Sequence, residues 1–218
     1  ADRAAGAAPA GAPVVVDAGA LSILTELLDE GLRCTPRHVL TPHAGEAAAL
    51  LTALADSETP EGTARQWNRE RVEAHPAHAV REICRLSGAT VLLKGATTLI
   101  AAPHHPLVSV DSGPGWMATA GSGDVLAGVL GAVLAGAAAR WEREAGCAAA
   151  GANSAQGVLV DSVAAGVRLH ALAGAYAAAM PGAGVVGAGG HPVAALDIAA
   201  ALGPARLELN WLQAVPHH

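Results

Sequence analysis

The most regular pattern of apolar positions lies within residues 113–134 and predicts a glycine-rich loop that opens into a buried helix. After the loop sequence ATAGSGD, apolar side chains recur on one helix face, at Val125, Leu126, Val129, Leu130, Val133 and Leu134. The backbone N–H groups of Gly121, Ser122 and Gly123 are therefore expected to lie unpaired at the helix N-terminus. Such an end attracts anions, because the unpaired donors and the helix dipole act in the same direction.

Asp124 is the one carboxylate within residues 113–134, and it follows the expected anion site directly. A carboxylate beside a bound phosphate is poorly suited to bind that phosphate, whereas it can take a proton from an attacking hydroxyl or hold a metal. The alternative is structural, with a small-residue turn before a core helix and Asp124 as a cap that complements the helix dipole. The local pattern leaves both interpretations open.

Shorter apolar runs alternate with helical patterns along the rest of the chain and predict an α/β fold. The predicted strands cover residues 14–17, 38–40, 90–94, 98–101 and 107–110. The predicted helices outside the central pattern cover residues 22–30, 46–55, 77–87, 162–180 and 192–202. The early alternation implies βαβ units and a parallel sheet covered on both faces, so the first strand is expected to be buried. Residues 90–110 add a β-meander, and residues 56–75 and most of 140–161 are predicted to be loops.

The composition favours one globular domain and narrows the class of partner. Hydrophobic residues make up 52% of the 218 residues and Phe is absent, so the core must be built from Ala, Val and Leu. The net charge of −6 argues against nucleic acid as a partner. Cys34, Cys84 and Cys147 lie far apart, which favours a reducing compartment over a disulfide framework or a zinc site. The uncharged stretch 171–190 is broken by Pro181 and is interpreted as a helix plus a loop, so no membrane span is expected. We expect a cytoplasmic location.

Lysine occurs once among the 13 basic residues, at Lys94. A compact ammonium group fits where a planar guanidinium does not, so a single lysine in a chain that otherwise uses arginine is a candidate for a specific role. The alternative is chance survival of one lysine. The chain has no GxxxxGK[ST] sequence and no GxGxxG after a strand, so neither a P-loop nor a standard dinucleotide fold is supported. The ten histidines form no convincing cluster, and no metal ligands are predicted.

Five segments carry short motifs in a fixed order along nearly the whole chain. They are VVVDAGAL (14–21), LTPHAGEAAALL (40–51), VLLKGATTLIA (91–101), ATAGSGDVLAG (118–128) and GGHPVAALDIAAAL (189–202). Together they resemble the NAD(P)H-hydrate dehydratase family, the metabolite-repair enzymes related to the C-terminal half of the YjeF proteins. LTPHAGE and KGATT favour this family over its kinase relatives. The resemblance implies a ribokinase-like three-layer αβα sandwich with a mainly parallel central sheet and a β-meander, formed by residues 1–218 as a single domain.

The resemblance also implies a reaction. Hydrated NADH or NADPH carries a hydroxyl on its nicotinamide ring; ADP or ATP, with Mg²⁺, phosphorylates that hydroxyl, phosphate leaves, and the dihydronicotinamide returns. The residues expected to bind the adenine nucleotide are Lys94, Gly95, Ala96, Thr97, Thr98 and Gly123. The expected anion hole comprises Ala120, Gly121, Ser122 and Gly123. His43 and Asp124 would contact the hydrated dinucleotide, and Asp124 would be the catalytic base.

Several expectations depart from this family or remain open beside it. Members usually have a further glycine-rich loop and further strands ahead of VVVDAGAL, so this chain is expected to lack that N-terminal portion, with residues 1–12 as a flexible lead-in. Members often assemble, so a homo-oligomer is expected. The alternative functions are a kinase of the same superfamily that acts on a small alcohol, of the hydroxymethylpyrimidine or thiazole type, and an inactive nucleotide-binding subunit. Five further polar residues have structural interpretations: a strand-end cap at Asp17, a first-turn helix acid at Glu46, a packed helix residue at His170, loop geometry at His191 and a helix N-terminal acid at Asp197.

Overall fold

The computed structural model describes residues 11–58, 67–145, 152–179 and 190–214, and its centre is one five-stranded sheet. Its strands lie side by side in chain order: β1 (Val14–Val16), β2 (His38–Leu40), β3 (Thr90–Leu93), β4 (Thr97–Ala101) and β5 (Val108–Asp111). The first three strands are parallel, and β3, β4 and β5 form an antiparallel meander. Both features confirm the sequence prediction, and the result is an open mixed sheet.

Helices cover both faces of this sheet. In chain order they are α1 (Gly19–Asp29), α2 (Ala44–Glu58), α3 (Arg69–Ala74), α4 (Pro76–Ser87), α5 (Ser122–Ala145), α6 (Ala152–Ala179) and α7 (Ala195–Ala214). Because successive strand residues point to opposite faces, Val91 and Leu93 pack with α1–α4, whereas Leu92 packs with α5 and α6. α7 lies outside α6, where Ile198 and Ala201 are buried with Ala173 and Ala177. The predicted three-layer arrangement is confirmed.

The apolar face predicted for α5 is the face that the helix buries. Leu126, Val129, Leu130 and Leu134 are buried, and Val125 and Val133 are half-buried. This periodicity survives in an Ala- and Gly-rich helix because the large side chains fall only on the side that meets the sheet and α6.

Three stretches differ from the sequence prediction. The predicted loop 56–75 is wrong in part, because residues 56–58 extend α2 and Asn68 caps α3 by accepting the N–H of Arg71 at 2.8 Å. Residues 140–145 continue α5, as predicted for the helix tail, but the predicted loop that follows is wrong from Ala152, where α6 begins. Alanine favours helix without marking a buried face, so the apolar pattern fades there while the helix continues. α7 begins three residues later than predicted and continues through Pro204 to Ala214. Residues 1–10 of the expected lead-in, as well as 59–66, Cys147 and 180–189, lie outside the described residues.

β1 is less buried than predicted. Within the described residues it pairs only with β2, and the side chain of Val14 is 47% exposed. A fully buried parallel strand has a neighbouring strand at each edge and helices over both faces of the sheet. An edge strand has a neighbouring strand at one edge only, so its side chains are less covered. The prediction of a buried strand is therefore wrong for β1, although it holds for β3, which is buried throughout.

Two helices are long and apolar enough to cross a membrane, by length and composition alone: Ser122–Arg140 in α5 and Gly157–Ala179 in α6. In the structure the same stretches supply the core on one face of the sheet, where Leu130, Val160 and Val163 are fully buried. Residues 171–179 are helical, as predicted. Only 28% of the first stretch and 56% of the second are buried, so each helix contributes part of its surface to this core.

The loop that leads into α5 is anchored on α6 by Met117, the last residue of a 3-10 turn (Gly115–Met117). Met117 is buried against Gly174, where an added Cβ would overlap its Sδ, Cγ and Cε atoms. We expect Gly174→Ala to displace Met117 and to lower the free energy of unfolding by about 1–3 kcal/mol, as overpacking of a core does. Denaturant unfolding measures this loss.

A matched control exists on α5, where an added Cβ at Gly131 would meet no atom within 4 Å. Gly131→Ala is expected to leave stability unchanged or to raise it by up to about 1 kcal/mol, because alanine favours helix over glycine. Equal unfolding midpoints for the two variants would contradict the anchoring role of Met117.

Candidate active site

The carboxyl ends of β1, β2 and β3 open at one edge of the sheet, beside the N-terminus of α5. Asp17 follows β1, Thr41 to His43 follow β2, and Lys94 follows β3. The Lys94 N–H donates to the Pro42 carbonyl at 2.8 Å, which ties the ends of β2 and β3 together. Ligands of open α/β sheets bind at the carboxyl ends of the strands, so this edge is the candidate active site.

Asp17 and Lys94 form an ion pair at this edge. Lys94 Nζ lies 2.7 Å from Asp17 Oδ1, and the Thr41 hydroxyl donates to the same oxygen at 2.7 Å. The two charged side chains are only 21% and 14% exposed. Burial raises the pKa of Asp17, but the hydrogen bonds from Lys94 and Thr41 outweigh burial and hold the pKa below its usual value. Asp17 is thus a charged member of the site, beyond the strand-end cap that the sequence suggested.

The Lys94 ammonium lies against the first turn of α5. A Cβ at Gly123 would stand 3.5 Å from Lys94 Nζ and 3.9 Å from Asp17 Oδ2. Any larger side chain at this position would fill the space in front of the ion pair. Glycine therefore lets the lysine charge approach the helix N-terminus, which is itself positive. The helix end favours an anion there, whereas the charge of Lys94 is offset by Asp17 in this structure.

The turn that starts α5 satisfies one of the N–H groups that the sequence left unpaired. The Ser122 N–H donates to the Thr119 carbonyl at 3.2 Å, so the expectation of an unpaired Ser122 N–H is wrong. The first helical bond is from Val125 N–H to the Gly121 carbonyl, at 3.1 Å, and the N–H groups of Gly123 and Asp124 precede it as helix-end donors. Gly121 has φ +83°, a left-handed conformation that favours glycine.

The Asp124 side chain is exposed at the mouth of this turn. The position of a Cβ on Gly121 is 3.8 Å from Asp124 Oδ2, so the carboxylate lies back over Gly121 at the start of the helix. Its exposure leaves both oxygens accessible to a substrate. The structure thus brings Asp124, Gly121 and Gly123 together, with Lys94 on the inner side of the same turn.

His43 caps α2 with its ring. Nδ1 accepts the N–H groups of Gly45 and Glu46 at 3.0 and 3.1 Å, and the His43 N–H donates to Glu46 Oε2 at 2.8 Å. Because two donors address Nδ1, the ring proton is assigned to Nε2. The side chain is 61% exposed and lines a cleft of about 500 Å³ between α1 and α2. His43 can therefore donate a hydrogen bond from Nε2, whereas Nδ1 is already used.

Glu46 is the first-turn acid of α2, as predicted, and it also reaches the charged group of the site. Its Oε2 atom is 3.9 Å from Lys94 Nζ, and its Oε1 atom is 3.6 Å from His43 Nε2. Contacts therefore connect His43 to Glu46, Glu46 to Lys94, and Lys94 to the start of α5.

The KGATT sequence forms the turn between β3 and β4. Gly95, Ala96 and Thr97 are exposed on this turn. Thr98 is buried, and its hydroxyl shares a 2.7 Å hydrogen bond with the hydroxyl of Ser112. The turn therefore presents mostly backbone to solvent, next to Lys94.

Two further polar residues have the structural roles expected of them. Asp197 accepts the Ala194 N–H at 2.8 Å and caps the first turn of α7. His191 lies in the preceding loop, where its N–H donates to the Ala178 carbonyl at 3.0 Å. Cys34 and Cys84 are free thiols.

His170 is buried in α6 beside the start of α5. Its Nε2 atom shares a 3.4 Å hydrogen bond with the Ser122 hydroxyl, and both residues are 7% exposed. Burial lowers the pKa of His170, and the contact with Ser122 opposes this only in part. The sequence predicted a packed helix residue, and His170 is packed as expected. Its contact with Ser122 joins residues 48 positions apart, so no local sequence pattern could indicate it.

The lowered pKa of His170 predicts a dependence of stability on pH. The unfolded chain binds a proton at His170 below about pH 6.5, whereas the folded protein resists that proton until a lower pH. We therefore expect the free energy of unfolding to fall as the pH drops below about 6.5, and His170→Leu to lack this component. Urea unfolding between pH 7.5 and 5 measures it. Asp17, whose pKa is also lowered, adds a separate loss at pH values below its usual pKa. Parallel pH profiles for wild type and His170→Leu in the higher range would contradict the prediction.

Comparisons with known proteins identify the family. A sequence profile described as NAD(P)H-hydrate dehydratase matches residues 7–188. The ADP-dependent (S)-NAD(P)H-hydrate dehydratase of Neisseria meningitidis serogroup B is 40% identical over 170 residues, which is 77% of this chain and 51% of that protein. The bifunctional NAD(P)H-hydrate repair enzyme Nnr of Mycobacterium tuberculosis is 43% identical over 123 residues, 56% of this chain and 22% of that protein.

Solved structures show the same fold. A ribokinase-like superfamily protein from Enterococcus faecalis superposes with a TM-score of 0.57 at 20% identity, over 89% of this chain and 52% of that one. An ADP/ATP-dependent NAD(P)H-hydrate dehydratase from Bacillus subtilis, co-crystallized with ATP/Mg²⁺, has a TM-score of 0.51 at 20% identity, over 90% of this chain and 55% of that one. The fold is therefore ribokinase-like.

The chain spans about half the length of the first of these relatives. The family profile covers most of this chain, including the ends of β1, β2 and β3 and the start of α5. The chain therefore belongs to the NAD(P)H-hydrate dehydratase family.

Proposed function

We propose that this chain catalyses the ADP- or ATP-dependent dehydration of hydrated NADH or NADPH to NADH or NADPH, as a hydro-lyase of metabolite repair. One observation carries the proposal: the Lys94 ammonium is held by Asp17 against Gly123, on the turn that also bears Asp124. A positive charge, helix-end N–H donors and an exposed carboxylate therefore meet at one point. Phosphoryl transfer needs charge neutralisation, positioning and a base, and this point offers all three.

The proposed reaction makes a poor leaving group into a good one. Asp124 takes the proton of the ring hydroxyl while the hydroxyl oxygen bonds to the terminal phosphorus of the nucleotide. The bond from that phosphorus to the bridging oxygen breaks, and the nucleotide leaves as AMP or ADP. The ring carbon–oxygen bond then breaks and inorganic phosphate departs. Loss of a proton from the neighbouring ring carbon restores the double bond of the dihydronicotinamide.

Each element of the site has a proposed share in binding. The turn of Ala120, Gly121, Ser122 and Gly123 would form the anion hole for the transferred phosphoryl group through its backbone. The exposed turn of Gly95, Ala96 and Thr97, with Lys94, Thr98 and Gly123, would hold the adenine nucleotide. His43 would donate from Nε2 to the hydrated dinucleotide, whose other contact would be Asp124.

The residues present fit Mg²⁺ as part of a nucleotide complex. Within the described ranges, no three His, Cys, Asp or Glu side chains are placed to hold a metal by themselves. Asp17 and Glu46, however, both face the Lys94 ammonium, so two carboxylates already converge on one cation. Mg²⁺ in nucleotide sites is commonly held by one or two carboxylates together with phosphate oxygens. Asp17 Oδ2, which faces the first turn of α5 and is not the oxygen bonded to Lys94, would hold it with the bound nucleotide, where it would offset phosphate charge.

We also propose a cytoplasmic homo-oligomer without a membrane or nucleic acid partner. The negative net charge supports the absence of nucleic acid. Large apolar side chains are exposed at β1 and α1, including Val14, Ile23 and Leu27, and offer area for contact with another copy.

The function is tested by incubating the purified chain with hydrated NADH, Mg²⁺ and either ADP or ATP, and following the absorbance of the dihydronicotinamide. Recovery that requires a nucleotide supports the proposal and identifies the preferred one. A stable phosphorylated product without recovery would instead show a kinase of the same superfamily. Nucleotide binding without any turnover would show an inactive subunit.

A further inference from the structure

The interface between α5 and α6 ends in a polar pair where its apolar stripe would continue. On α5 the buried positions follow a four-residue spacing: Ser122, Leu126, Leu130 and Leu134. On α6 the facing positions are Val160, Val163, Val167 and His170. The contact between Ser122 and His170 is a side-chain hydrogen bond between these helices. An apolar pair at this position would avoid the free-energy cost of burying two polar side chains. The polar pair offers an oriented contact between the two helices, which an apolar pair would not.

The pair lies on the turn of α5 that meets Lys94. Successive helix residues point about 100° apart, so Ser122, Gly123 and Asp124 face three directions. With the Ser122 hydroxyl on His170, Gly123 lies toward Lys94 and Asp124 lies toward solvent. Leu130 packs closely on Gly166, one turn before His170 on α6. The contact between Ser122 and His170, at 3.4 Å, is long for a hydrogen bond, but it is the polar contact that lies at the first residue of α5.

We propose that His170 is a positioning residue that acts through the Ser122 hydroxyl to hold the anion-binding turn of α5 in its rotational setting. A rotation of 20° moves a Cα atom on a helix by about 0.8 Å. A misplacement of about 1 Å in an active site can lower a rate by roughly 10²-fold. Burial keeps the imidazole neutral, which leaves one ring nitrogen as a donor and the other as an acceptor.

The test compares His170→Leu, which fills the space without a polar group, with His170→Gln, which keeps one. For its kinetic arm the inference rests on the proposed function. We expect His170→Leu to lower kcat roughly 10- to 100-fold with little change in KM for the nucleotide, and His170→Gln to recover most of that loss. Ser122→Ala should match His170→Leu, and the double variant should be no slower than either single one.

Val163→Ala is the matched control, because it removes buried volume from the same interface and leaves Ser122 untouched. It is expected to lower the melting temperature with kcat nearly unchanged. Unchanged kcat in His170→Leu, additive losses in the double variant, or an equal loss of kcat in Val163→Ala would each overturn the inference.

Hydrogen exchange tests His170 without turnover. In His170→Leu, the N–H of Val125, which bonds to Gly121, is expected to exchange faster relative to those of Val129 and Leu130 further along α5. His170→Gln and Val163→Ala should not change this ratio. If the wild-type chain shows no turnover, the proposed function fails, while this ratio still supports or overturns the role of His170.

Discussion

Replacing Asp124 by asparagine is expected to lower the nucleotide-dependent recovery of NADH by at least about 10²–10⁴-fold, the usual contribution of a positioned base. Asparagine keeps the shape of the side chain at the exposed mouth of α5 but accepts no proton there. The fold should persist, because an exposed first-turn acid stabilises a helix by only about 0.3–1 kcal/mol. Steady-state rates and circular dichroism of the variant measure the two effects separately.

Asp197→Asn is the matched control for this variant. Asp197 is also a first-turn helix acid, and it caps α7 through the Ala194 N–H. We expect a small loss of stability and an almost unchanged rate. Near-normal turnover in folded Asp124→Asn, or an equal loss in both variants, would remove Asp124 from the role of base.

Replacing Lys94 by glutamine is expected to lower the rate by about 10²–10³-fold, the usual cost of removing one stabilising group from a developing charge. Glutamine can still hydrogen-bond Asp17, but the positive charge against Gly123 is lost. It also leaves the Asp17 carboxylate without its cation, so the variant should be less stable by about 1–3 kcal/mol. Rates and denaturant unfolding measure the two effects.

Two further variants separate charge balance from chemistry. The double variant Asp17→Asn with Lys94→Gln removes both charges, so we expect it to regain stability but not rate. Lys94→Arg keeps the charge, but it replaces a compact ammonium group by a larger planar group beside Gly123, so we expect it to stay slow. Full activity in either variant would contradict the role given to the Lys94 ammonium. Arg81→Gln, a change to another cation on α4, should leave both properties unchanged.

The sequence predicted the elements whose large apolar side chains recur at a regular spacing. α5 and β3 are of this kind, because Leu and Val occupy their buried positions and smaller or polar residues surround them. It failed where alanine replaces that contrast, as at the start of α6, and where a helix is only six residues long, as in α3. The exposure of β1 depends on what lies beside it in space, and no local pattern records that.

For the candidate site, the sequence identified the residues that stand within motifs and missed their partners. Lys94 and Gly123 were expected together at a nucleotide, and the structure places them in contact range. The part of Asp17 in the site depends on a lysine 77 positions away, and that of His170 on a serine 48 positions away. For the pair of Asp17 and Lys94, the only signal in the sequence was a charged residue at the end of a parallel strand in a chain with one lysine. No signal marked the pair of His170 and Ser122.

The single lysine also determines how this protein responds to chemical labelling. A reagent that acylates primary amines can modify Lys94 and the α-amino group of the chain, and no other side chain carries an amine. The rate at which the acyl mass appears at Lys94 therefore reports how often the ion pair with Asp17 opens, without background from other lysines. Attachment of dyes or surfaces through amines would act on the candidate site itself. Cys34 and Cys84 are poor substitutes, because burial raises the pKa of both thiols, so such work calls for chemistry directed at a chain terminus.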